Sequence, residues 1–92
     1  MIRVFFYAGV RELVGASGVC VEGFSGTLAG LLKRLEERHG IFPVDPSKPD
    51  GADPLSVLIL MINGRHIAHV GGLDAPLSEG DVVSVFPLVG GG

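Results

Sequence analysis

Val82-Val83-Ser84-Val85-Phe86-Pro87-Leu88-Val89-Gly90-Gly91-Gly92 is the stretch on which fold and chemistry both turn. Val82 to Phe86 is rich in β-branched residues and predicts a strand. The character changes at Pro87, and the stretch runs out in three glycines. Glycine has no Cβ, so its backbone is thin and reaches conformations closed to other residues. Four extended residues, Val89 to Gly92, span roughly 13 Å at ~3.3 Å each. Such a tail threads a narrow channel and presents its terminal carboxylate inside a buried site, with the preceding strand as its anchor. The competing reading is a frayed end with no role, and the rest of the chain has to weigh between them.

Working outward, Ile2 to Tyr7 is a second apolar, β-rich run. The stretch between the first and last strands is long enough for a crossover, so the two can pair in parallel at the centre of a sheet. Val10 to Val14 sits between Gly9 and Gly15 and reads as one short helical turn. Val19-Cys20-Val21-Glu22 reads as a short strand antiparallel to the first, with Val19 and Val21 on one face and Cys20 on the other. Ser25-Gly26-Thr27 opens the one clear helix, with Thr27 as N-cap. Leu28, Leu31, Leu32 and Leu35 form its apolar stripe, and His39-Gly40 closes it. Its basic residues gather toward the C-terminal end, where the helix dipole favours them.

Phe42 to Pro54 holds Pro43, Pro46, Pro49 and Pro54 and reads as a long polar surface loop. Leu55 to Ile62 is almost continuously apolar, which predicts a central strand buried on both faces. Asn63-Gly64 is a strong hairpin signal, with Arg65-His66-Ile67 as the return strand. Gly71-Gly72-Leu73 and Pro76 to Asp81 read as turns. The element order is β-β-α-β-β-β. One amphipathic helix covers one face of a mixed sheet, so the expectation is an α+β fold in two layers. Residues 1–87 form one domain in this reading, and 88–92 a flexible glycine tail.

Composition narrows the function. The chain has 92 residues, 47% of them hydrophobic and 18% charged, which suits one small globular domain. Seven Lys and Arg stand against ten Asp and Glu, for a net charge of −3. That argues against a nucleic-acid binder, which shows a basic stripe. One cysteine permits no intrachain disulfide and suits a reducing compartment. No apolar run approaches the ~18 residues of a membrane span. A cytoplasmic protein with no membrane partner is expected. Cys20 has no basic residues near it in sequence to activate its thiol. His66 and His69 lack further ligands for a metal, and no metal site is expected. Phe86 reads equally as core or interface, and Glu79 and Asp81 as solvated turn residues more than as steering charges.

Taken in order, five segments carry a resemblance. They are Tyr7-Ala8-Gly9-Val10-Arg11-Glu12-Leu13-Val14-Gly15, Gly26-Thr27 before the leucine-rich helix, and Val57 to Ile62 running into Asn63-Gly64. Leu77-Ser78-Glu79-Gly80-Asp81-Val82-Val83 and Phe86-Pro87-Leu88-Val89-Gly90-Gly91-Gly92 complete the set. Together they resemble the ubiquitin-like sulfur carriers of the MoaD/ThiS type, most of all the small subunit of molybdopterin synthase. Leu88 departs from the family's second proline, and Gly90 extends its glycine pair.

The resemblance implies a ubiquitin-like β-grasp, a mixed sheet of four to five strands curled around one main helix. It also implies a chemistry. A ubiquitin-activating-type adenylating enzyme uses ATP to adenylate Gly92, and sulfur then converts Gly92 to a thiocarboxylate. Gly90 and Gly91 thread the partner's channel, and Phe86, Pro87, Leu88 and Val89 dock against it. The molybdopterin synthase large subunit is the implied acceptor partner. The chain itself is then a non-catalytic sulfur donor with no bound cofactor. A second reading is a protein modifier joined through Gly92 to lysines of target proteins. Sulfur delivery to another pathway and a β-grasp module with an inert tail remain open beside them.

Overall fold

The computed structural model describes residues 1–40 and 58–87, the side chain of Leu13 excepted. The Phe42–Pro54 loop, the start of the Leu55–Ile62 strand and the tail from Leu88 to Gly92 lie outside the described residues.

The first strand, β1 (Ile2–Phe6), alternates cleanly: Ile2, Val4 and Phe6 are buried while Arg3 and Phe5 face out. It leads directly into α1 (Ala8–Val14), which closes at Gly15 in the left-handed conformation. β2 (Gly18–Val21) returns antiparallel to β1, pairing Val4 with Val19 and Arg3 with Cys20. A two-residue strand, β3 (Gly26–Thr27), precedes α2 (Leu28–His39). The Thr27 side chain accepts the Gly30 amide, and Gly40 at φ 65° caps the other end. Leu28, Leu31, Leu32 and Leu35 are all buried, each contributing roughly 1.5–3 kcal/mol by leaving water.

β4 (Leu58–Ile62) and β5 (Arg65–His66) form the hairpin around Asn63-Gly64, both residues at positive φ as the tight turn requires. Two 3-10 turns, Ile67–His69 and Gly72–Asp74, follow. β6 (Pro76–Leu77) pairs antiparallel with β3, and β7 (Val82–Pro87) ends the described chain. The main sheet has the order β2-β1-β7-β4-β5. β1 and β7 are parallel, so the sheet is mixed. One face carries α2; its leucines pack with Ile2, Val4, Phe6, Leu60, Val83 and Val85 in a single core.

The α+β architecture, the five-stranded sheet and the parallel pairing of first and last strands agree with the sequence reading. Several details differ. β4 is buried on alternate residues, with Ile59 and Met61 only half-buried, so its apolar run is not covered on both faces. The central strand is β7. The return strand stops at His66, because the His66 side chain accepts the Ala68 amide and turns the chain into a 3-10 turn. The first strand ends at Phe6, and α1 begins at Ala8, earlier than Val10, with Ala8 itself at φ 52°. Gly26-Thr27 and Pro76-Leu77, a helix opening and a turn by sequence, are strands paired with each other.

Candidate functional site

β7 carries the site to its place. It is gripped on both sides: Phe6 lies opposite Val85 on β1, and Leu58 opposite Pro87 on β4. The backbone is therefore held in a ladder up to the last described residue. Val83 and Val85 point into the core, while Ser84 and Phe86 point to the other face. Phe86 is thus an outer-face residue, and the core reading of it is set aside. Its ring stacks on Tyr7 with centroids 4.5 Å apart and planes 8° from parallel. The Tyr7 amide also donates to the Val85 carbonyl at 3.1 Å. Backbone and ring together join the end of β1 to the end of β7.

The same face carries more apolar surface. Tyr7 is 40% exposed and Phe5 37%, the largest aromatic exposure among the described residues. Ile59 lies opposite Phe86 and Met61 opposite Ser84. The Phe5 ring covers Gly18, where an added Cβ would come 3.2 Å from the ring and 2.7 Å from the Val4 carbonyl oxygen. Two exposed aromatic rings and the half-buried Ile59, Met61 and Phe86 thus share this face. Phe86 lies on it, whereas Pro87, opposite the buried Leu58, follows Val83 and Val85 on the other side of the strand; Leu88, Val89, Gly90, Gly91 and Gly92 lie outside the described residues.

The start of β7 is fixed by a polar lock. The Asn63 side-chain amide donates to Asp81 at 3.0 Å, and its carbonyl oxygen accepts the Val82 amide at 2.9 Å. The other Asp81 oxygen accepts the Ser78 amide at 2.8 Å. The Asn63 backbone amide donates to the Val82 carbonyl at 2.7 Å. Glu79 pairs with the N-terminal amine. Asp81 is therefore a fastener of the turn before β7, while Glu79 is largely exposed. Of the two lysines, Lys33 is exposed on α2, and Lys48 lies outside the described residues.

Two groupings were not visible in the sequence. Tyr7 and Phe86 meet only because β1 and β7 are neighbours. Cys20, exposed on β2, shares a depression with Glu22, Arg34, Arg38 and His39. Sequence proximity shows no cation near Cys20; the packing of α2 beside β2 brings three basic side chains. His66 and His69 lie edge to face at 6.3 Å, with the His66 Nδ1 accepting from the Ala68 amide. Among the described residues no group of three or more His, Cys, Asp or Glu is placed to hold a metal. No described helix is long and apolar enough to cross a membrane.

A mixed five-stranded sheet wrapped on one main helix, with first and last strands parallel at its middle, defines a ubiquitin-like β-grasp protein. The chain belongs to the ThiS family, whose sequence model matches residues 4–92. It is therefore a member of the ubiquitin-like sulfur carriers and modifiers. It is 36% identical to small archaeal modifier protein 3 of Haloferax volcanii over 93 residues, covering 99% of this chain and 98% of that protein. It is 32% identical to the molybdopterin synthase sulfur carrier subunit of Escherichia coli over 92 residues, the full length of both. In the solved structures, the Amycolatopsis orientalis BexX/CysO complex contains a chain of the same fold, at TM-score 0.71, 23% identity and full coverage of both chains.

Proposed function

We propose that this chain is a sulfur carrier in molybdopterin biosynthesis, with Gly92 as the reacting residue. The observation that carries the reading is the extent of the family match, which runs over the glycine tail to Gly92. The full-length similarity to a molybdopterin synthase sulfur carrier subunit supports the pathway. The geometry suits delivery of a terminal group. A strand held on both sides ends beside an exposed aromatic face, and the tail continues from it.

The chemistry follows from the carboxylate's poor electrophilicity. An adenylating partner transfers AMP from ATP to the Gly92 carboxylate and releases pyrophosphate. The terminal sulfur of a persulfide attacks the acyl carbon and AMP leaves. A thiol then cleaves the sulfur–sulfur bond, leaving the thiocarboxylate on Gly92 and a disulfide on the donor side. Phe86, Pro87, Leu88 and Val89 dock against the partner, Tyr7 and Phe5 extend the docking surface beside Phe86, and Gly90 and Gly91 thread the partner's channel. ATP is bound by the activating partner, and the large subunit of a molybdopterin synthase accepts the sulfur. In this reading the protein works in the cytoplasm, where its single cysteine stays reduced.

A second reading has its own support. The similarity to small archaeal modifier protein 3 is the higher of the two identities. A modifier uses the same adenylate, with a lysine amine in place of sulfur as the nucleophile. Intact mass of the protein from its own cells separates the two. A gain matching one oxygen replaced by sulfur, mapped to Gly92, establishes the carrier. Free protein of unchanged mass beside Gly92-derived remnants on lysines of other proteins establishes the modifier. Neither product, even after incubation with ATP and an activating enzyme, overturns both.

A further inference from the structure

We propose that the outer edge of β2, unpaired among the described residues, with the basic side of α2 beside it, docks an extended acidic segment of a partner protein. The groove lies at the end of the sheet away from Phe86 and Pro87, and the inference does not depend on the reaction at Gly92.

β2 pairs with β1 on one side, and among the described residues no strand pairs with its other side. The Phe6 amide donates to the Ser17 carbonyl at 2.9 Å, and Phe5 lies opposite Gly18. Antiparallel ladders alternate bonded and non-bonded pairs. Val19 and Val21 therefore bond to β1, while the amide and carbonyl of Gly18 and Cys20 face outward. The opposite edge of the sheet, β5, is only two residues long. β2 carries no proline or lysine to discourage an incoming strand.

The groove beside this edge is basic. Arg34, Arg38 and His39 line the depression against Cys20, Val21 and Glu22. The chain as a whole is net negative, so this gathering runs against its overall sign. Arg34 is held in position: its guanidinium lies 5.4 Å from the centre of the Phe24 ring. That ring is itself packed over Gly26 and Gly30. Arg38 and His39 occupy the last turn of α2. Glu22 is the one carboxylate in the groove and disfavours an acidic residue at its end.

An added strand supplies main-chain bonds to Cys20, and its alternate side chains point to one face. Carboxylates at every second position then all meet the α2 side, where Arg34 and Arg38 pair with them. β1 and β7 run parallel while β2 is antiparallel, with Ile2 opposite Val21. The groove therefore sits at the end of the sheet away from Pro87, and both surfaces are usable at once.

The test titrates the full-length, isotope-labelled protein with a capped Asp-Val-Asp-Val-Asp peptide and follows amide shifts. The expected result is perturbation confined to Gly18–Glu22 and Arg34–His39, with slowed exchange of the Cys20 amide. Arg38→Glu, at an exposed position, should weaken binding about tenfold, the equivalent of one interfacial charge interaction. Arg34→Glu should do the same, and the same peptide N-methylated at alternate amides should not bind. No shifts at millimolar peptide, shifts confined to the Tyr7–Phe86 face, or unchanged affinity in both variants would overturn the proposal. Equal shifts from free aspartate or from the N-methylated peptide would overturn strand addition and leave only an anion site.

Discussion

Asn63 does two things at one position. Its backbone, at φ 52°, takes the first corner of a tight hairpin, a conformation asparagine tolerates better than most side chains. Its side chain then bridges to Asp81 and Val82, tying that hairpin to the start of β7. Asn63→Ala removes both bridging bonds and places an alanine at positive φ. The expected loss is roughly 1–2 kcal/mol, since each exposed bond contributes only a fraction of that. Urea denaturation monitored by circular dichroism reads it directly, with the midpoint lowered and the slope unchanged. The turn itself was legible, because Asn-Gly meets the dihedral demand locally. The bond to Asp81 was not, because it joins residues 18 apart and depends on where β7 lies. The same limit hid the Tyr7–Phe86 stack and the cations around Cys20.

At the scale of elements, α2 is the best-specified piece of the chain. Thr27, the four leucines and Gly40 each do what the spacing implied, and the observed cap bond from Gly30 to Thr27 measures 3.3 Å. Thr27→Ala should cost about 1 kcal/mol. In a domain of this size that corresponds to a fall of roughly 4–8 °C in Tm by calorimetry. Elements of two residues were illegible for the opposite reason. β3 and β6 contain no period to read, and their pairing comes from the approach of the α2 N-terminus to the 3-10 turn at Gly72–Asp74. There the Leu28 amide donates to the Ala75 carbonyl at 3.0 Å. β4 misled for a third reason. A run of leucine and isoleucine satisfies a two-sided burial pattern, yet here its outer residues, Ile59 and Met61, are only half-buried, on the face that carries Phe86.

At the scale of the molecule, the sheet divides its work by face: Val83 and Val85 build the core, and Phe86 serves the outside. That separation predicts that Phe86→Ala leaves the far-ultraviolet spectrum and the fold intact while weakening recognition by the proposed activating enzyme. A well-packed aromatic residue at an interface typically contributes over 1 kcal/mol, so the expected effect is a rise of about tenfold in KM. A fall in thermal stability with KM unchanged would assign Phe86 to folding instead. The position of β7 between a parallel and an antiparallel neighbour has a mechanical consequence as well. Tension applied through Pro87 along the strand runs parallel to both ladders. It loads the flanking hydrogen bonds together in shear, not one after another as when an edge strand is peeled away. A force drawn along β7 therefore works against both ladders at once.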